Sequence, residues 1–125
     1  MSKKLIVGLG FLCILVITTG FSCRTPLNGV TKAVSINAGC QVSDPSFTIN
    51  RSDQVSWTAN GQDSDTVSFN YSEGSPFNQT TYSVLQGHAK TSGSVRNDAA
   101  AGSYRYTVTG TPSGCSVDPV VIIHP

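Results

Sequence analysis

From Val30 onward, apolar and polar residues alternate along this chain with the period of a β-strand. Ser46-Phe47-Thr48-Ile49-Asn50 and Val55-Ser56-Trp57-Thr58-Ala59 alternate cleanly, and Val30–Ile36 does so with Lys32 out of step. A period of two sends neighbouring side chains to opposite faces, so each run reads as a half-buried strand. Further strands are predicted at Thr66–Tyr71, Tyr82–Leu85, Ser92–Val95, Ser103–Thr109 and, after Asp118-Pro119, Val120–Ile123. Asn37-Ala38-Gly39, Arg51-Ser52-Asp53 and Asn60-Gly61 supply turn residues between them. Val, Thr, Ser, Tyr and Phe dominate while Leu, Glu and Lys are sparse, and no segment carries a helical period. Short strands at this spacing predict an all-β fold, an antiparallel Greek-key sandwich of about 7–8 strands.

One apolar stretch does not alternate. Lys3 and Lys4 precede an almost unbroken apolar run from Leu5 to Ile17, followed by Thr18-Thr19-Gly20-Phe21-Ser22. A cationic start, an apolar middle and small residues at the end make a secretory signal peptide. The run is shorter than the roughly 20 residues of a comfortable membrane span, which leaves an uncleaved anchor as the alternative. The division expected is therefore a signal peptide over 1–22, a lipid-attached tether over 23–29 containing Pro26 and Gly29, and the sandwich over 30–125.

Counting the cysteines sharpens this reading. Of the four, Cys13 leaves with the signal, so the exported chain keeps Cys23, Cys40 and Cys115, an odd number in an oxidising compartment. Acylation of Cys23 would consume one sulfur and leave Cys40 and Cys115 to pair. Gly20-Phe21-Ser22-Cys23 is similar to a lipobox in its small residue before the cysteine, although Gly20 and Ser22 also suit an ordinary signal peptidase. The expected product is a lipoprotein of the bacterial cell envelope, periplasmic or surface-exposed, held to the membrane by its N-terminal lipid; the alternative is a secreted protein. A Cys40–Cys115 bond just after the first strand and just before the last would add about 2–4 kcal/mol to a domain with a small margin of stability. Trp57, Tyr104 and Tyr106 are read as core aromatics.

The run Ser46–Asn60, then Asp65-Thr66-Val67-Ser68-Phe69, then Ala101-Gly102-Ser103-Tyr104-Arg105-Tyr106-Thr107-Val108 resembles the plastocyanin-like, or cupredoxin, pattern. In that family a His-x-apolar-x-Phe segment and a Gly-x-Tyr-x-aromatic-x-Cys-x-x-His segment build a copper site. The resemblance implies a cupredoxin-like sandwich, and it puts the three equatorial ligand positions at Asp65, Val108 and Thr111. Two imidazoles and a thiolate define blue copper. None of them stands at these positions, and the only methionine is Met1, within the signal. The expectation is a cupredoxin-like domain without blue copper and without any other cofactor.

Other chemistry is not signalled. Asp63-Ser64-Asp65 brings two carboxylates close together but lacks the spacing of a calcium loop, and it reads as a polar turn. There is no Gly-x-Ser-x-Gly elbow, and His88 and His124 stand alone in sequence, so no enzyme is expected. Eight basic against seven acidic residues give a formal net charge of +1, and in the part expected to be exported they are nearly balanced and scattered singly, with no basic stripe for nucleic acid. The Asn-x-Ser/Thr triplets at Asn50, Asn70 and Asn78 would matter only on a eukaryotic secretory route. Two functional readings follow. One is a non-catalytic binding module whose Glu73–His88 connection, with Phe77, Tyr82 and His88, meets an unknown protein or small molecule. The other is a copper- or zinc-handling protein using His88, His124 and carboxylates in a non-blue arrangement.

Overall fold

The computed structural model describes residues 29–125. The signal peptide over 1–22, the acylation of Cys23 and all of the tether before Gly29 lie outside the described residues. Where the domain begins, Val30 is fastened on both sides. Its amide donates to Asp53 Oδ1 at 3.0 Å and its carbonyl accepts from Gln54 N at 3.1 Å.

The described chain is all-β. Its strands are β1 (Thr31–Asn37), β2 (Gln41–Val42), β3 (Ser46–Ile49), β4 (Gln54–Ala59), β5 (Ser64–Ser68), β6 (Thr81–Val84), β7 (Ala89–Thr91), β8 (Gly102–Arg105), β9 (Thr107–Thr111), β10 (Ser116–Val117) and β11 (Val120–Ile123), with one short 3-10 turn at Ala38–Cys40. They form three sheets in the orders β2-β1-β4-β7, β3-β11-β8 and β10-β9-β5-β6. No helix among these residues is long and apolar enough to cross a membrane.

Eleven strands replace the seven or eight expected, for identifiable reasons. Two are two-residue hairpin returns, β2 on β1 and β10 on β9. The run Ser103–Thr109, expected as one strand, is two. Its first half pairs with β11, its second half with β5, and Tyr106 between them donates its amide to Pro119 O at 3.0 Å. The strand expected at Ser92–Val95 lies earlier, at Ala89–Thr91, and Val95 is instead a buried loop residue.

The pairing is also not purely antiparallel. β1 runs parallel to β4, and β3 runs parallel to β11. Parallel neighbours need a crossover connection, and the excursion through β2 and β3 supplies it for the first pair. Alternation along a strand reports which face is buried but not which strand lies alongside, so this feature was invisible in the pattern.

Trp57, at the middle of β4, is fully buried and gathers the aromatics of the core. Its ring lies 5.3 Å from Tyr82, 5.8 Å from Tyr106, and 6.4 Å from both Phe69 and Phe77. Edge-on and tilted contacts of this kind add to the burial of large apolar surfaces. Phe47, Ile49, Tyr104, Val121 and Ile123 from the three-stranded sheet complete the same core.

Candidate functional site

The most chemically loaded place in the domain is built around Gly110. Along β5 and the residue flanking it on each side, the buried positions run toward the N-terminus as Phe69, Val67, Asp65 and Asp63. Two carboxylates thus occupy the places where the strand pattern would put apolar side chains. Asp65 stands opposite Gly110 in the β5–β9 register. The hairpin from β9 to β10 carries Cys115 back over the same spot, with Gly110 N donating to Cys115 O at 3.0 Å and Gly114 N to Gly110 O at 2.8 Å.

Cys40 arrives from the other sheet. It ends the 3-10 turn after β1, where Gly39 and Cys40 both take positive φ, 73° and 60°. Glycine adopts that conformation freely, whereas a residue with a side chain does so at a cost of roughly 1–2 kcal/mol. The Cys40–Cys115 disulfide is formed, with Cα atoms 5.7 Å apart and a sequence separation of 75. It fastens the sheet of β1 to the sheet of β9.

The two carboxylates are in different situations. Asp63 is satisfied: Oδ1 accepts from Ser113 N at 3.1 Å and Oδ2 from the Ser113 hydroxyl. Ser113 Oγ in turn accepts from Cys115 N at 3.2 Å. Asp65 is 4% exposed and receives no hydrogen bond among the described residues. Burial, reinforced by the charge of Asp63, pushes the Asp65 carboxyl up to about 6. The reading of Asp63-Ser64-Asp65 as a polar turn is therefore corrected, since Ser64 and Asp65 open β5 and both carboxylates are buried. Running the Val67/Phe69 alternation back by two and four residues was the signal that would have found them. Compared with protein-family models and with curated proteins, the chain matches none.

The other singled-out residues lie elsewhere. Val108, where the sequence resemblance would put a copper-ligating cysteine, is fully buried, and Thr111 is exposed. Cys40, Asp65 and Cys115 place potential ligand atoms within 4.8 Å of one another, and neither histidine belongs to such a group among the described residues. His124 is exposed after β11, and its Nδ1 lies 3.0 Å from Pro125 O.

The long Glu73–His88 connection is partly a core element. Phe77 and Tyr82 are 1% and 2% exposed, so neither contributes to the contact surface expected of them. Tyr82 instead donates its hydroxyl to Ser92 O at 3.0 Å. Arg96 clamps the connection from outside, with Nε donating to Phe77 O at 3.0 Å and Nη2 to Ser75 O at 2.5 Å. Glu73 accepts from the amide and Nε of Arg105 at 3.0 and 3.1 Å, and these bonds draw its carboxyl down to about 2.

His88 is exposed and belongs to a different kind of segment. From Leu85 to Thr91 every side chain is exposed, Leu85 by 60%. The backbone beneath is fastened: Gln86 N donates to Ser64 Oγ at 3.0 Å, Gly87 N to Ala59 O at 2.8 Å, and Ala59 N to His88 O at 3.0 Å. β7, which continues the segment, pairs only with β4 and forms the outer edge of its sheet. A groove of about 230 Å³ near the disulfide, lined by Gln41, Val42, Pro45, Val117, Asp118 and Pro119, is smaller than the ~300–1,000 Å³ of sites that enclose small ligands.

Proposed function

We propose that this is a non-catalytic binding module of the bacterial cell envelope, held to the membrane through a lipid on Cys23 and working through a surface rather than a cavity. The observation that carries the reading is the Leu85–Thr91 segment, whose side chains all face solvent while its backbone is fixed by hydrogen bonds to β4 and β5. A contact surface that is already rigid loses little conformational entropy on binding, and loops on stable scaffolds are the usual carriers of recognition. Leu85 offers an apolar centre, with His88 and Lys90 as polar neighbours. The cupredoxin-like sandwich is the scaffold in this reading. Its support is the resemblance in sequence.

Photo-crosslinking tests it. A photoreactive residue replacing His88 in cells that make the protein is expected to give a discrete adduct, which Leu85→Asp abolishes. The same group at Thr48, an exposed position on β3, should give none. Equal labelling from the two positions, or none from His88, would overturn the reading.

A further inference from the structure

Asp65 is a buried carboxylate that the fold leaves without a hydrogen-bond donor, and it sits beside a disulfide. One of its oxygens and the Sγ atoms of Cys40 and Cys115 lie within 4.8 Å of one another. Asp63 Oδ2 lies 3.5 Å from Cys115 Sγ. These atoms converge over Gly110. A Cβ on that residue would lie 2.5 Å from Asp63 Oδ2, 2.6 Å from Cys115 Sγ and 3.0 Å from Asp65 Oδ1. Gly110 does not have positive φ, so no backbone conformation demands glycine there. What demands it is the room taken by three donor atoms aimed at one point.

We propose that reduction of the Cys40–Cys115 bond converts this locus into a site for a thiophilic divalent cation of the zinc class, held by both thiolates and the Asp65 carboxylate. Two thiolates and a carboxylate, completed by a water in the fourth position, suit a four-coordinate tetrahedral ion, and the sulfurs disfavour the hard calcium and magnesium ions. Burying a carboxylate without a partner is costly, and a cation would supply the missing partner.

The gate is thiol–disulfide exchange. A dithiol reductant attacks one sulfur, forms a mixed disulfide and resolves it with its second thiol. It ends as its own disulfide, having given two electrons and two protons to Cys40 and Cys115. The cation then displaces both thiol protons. Cys115 is only partly buried, on the hairpin between β9 and β10, and rotation of its side chain away from buried Cys40 is what the proposal requires to reach the spacing of two donors on one ion. With the disulfide closed, no thiolate exists and the cation is not held. The inference is independent of the surface reading above, which involves none of these residues.

The test uses the full chain, reduced with a trialkylphosphine under nitrogen, freed of reductant and titrated with Co²⁺ as a spectroscopic stand-in for zinc. The expected result is uptake of one equivalent, with a thiolate-to-cobalt charge-transfer band that Zn²⁺ bleaches. Oxidised protein should show no band, Cys115→Ser should lose most of it, and Asp65→Asn should bind at least about tenfold more weakly. Zn²⁺ should also raise the melting temperature of the reduced wild type, and raise it less in Asp65→Asn. No stoichiometric uptake by the reduced chain, equal uptake by the oxidised chain, or unchanged affinity in Asp65→Asn would each overturn the proposal. The last outcome decides even if reduction unfolds the domain, because the cysteines alone would then account for the binding.

Discussion

The indole Nε1 of Trp57 donates to the hydroxyl of Tyr106 across 3.5 Å, joining the middle of β4 to the residue where the chain passes from one sheet to another. Both side chains are fully buried, and the Tyr106 hydroxyl is pushed up to about 12 by that burial. Tyr106→Phe keeps the packing and strands the indole N–H, so we predict a loss of about 1–3 kcal/mol in urea unfolding. Tyr106→Ala should cost more, about 3–5 kcal/mol, through the cavity it leaves. Equal costs for the two variants would show that the hydrogen bond is irrelevant.

Gly110→Ala tests the crowding around the disulfide directly. The added methyl would meet Asp63 Oδ2 and Cys115 Sγ at 2.5 and 2.6 Å, distances at which something must shift. The expected destabilisation is about 1–3 kcal/mol, read from the denaturation midpoint. A variant as stable as the wild type would mean that the space over Gly110 is not occupied as described.

Asp65 should leave a mark on the pH dependence of stability in the oxidised protein. Its carboxyl is raised from 3.8 to about 6 in the folded state. Between those values the native chain binds more protons than the unfolded one, so stability falls as pH rises through that window and levels off above it. Asp65→Asn removes the charge. It should flatten this decline, being more stable than the wild type by on the order of 2 kcal/mol near pH 7 and no more stable near pH 3.5. Glu73 works in the opposite sense: its carboxyl is lowered to about 2, so its contribution is present above 4.5 and lost as pH falls. A wild type and Asp65→Asn with parallel pH profiles would sink the assignment.

Opening the staple should be expensive. Cys40→Ser with Cys115→Ser is expected to lower stability by about 2–5 kcal/mol, measured by chemical denaturation of the full chain. The bond has a sequence separation of 75 and holds Cys40 at its positive φ, so relaxation of that backbone should offset only part of the loss.

Lipidation has a direct readout. Membrane-fraction protein should carry a diacylglyceryl increment in its intact mass, and Cys23→Ser should move the domain to the soluble fraction without altering the Cys40–Cys115 bond. A free Cys23 thiol in the native protein would instead point to an ordinary signal-peptidase cut.

Much of the fold was legible because alternation reports burial. β11 falls where Val120–Ile123 was read, and β3, β4 and β6 lie within a residue or so of their expected bounds. Alternation failed where it carried on past a structural break. Tyr104 and Tyr106 both face inward, so the pattern continues smoothly while the chain changes sheets between β8 and β9. The candidate site was half legible. Parity pairs Cys40 with Cys115, but two carboxylates after Asn60-Gly61 carry the chemistry of a turn, which masks their place in the strand period. Phe77 and Tyr82 were hidden differently: aromatics in a long connection look like surface contacts until the core is found to reach them.

The position of β11 at the centre of its sheet bears on when the domain acquires its shape. It is the last strand in chain order, and both β3 and β8 hydrogen-bond to it rather than to each other. The three-stranded sheet therefore has no partial version that earlier segments could assemble, and the chain must close a very long loop before β3 finds its neighbour. Strands made first wait for the strand made last. The two four-stranded sheets can pair without β11, but the three-stranded sheet, and the part of the core carried by Phe47, Ile49 and Tyr104, closes only when that final strand joins.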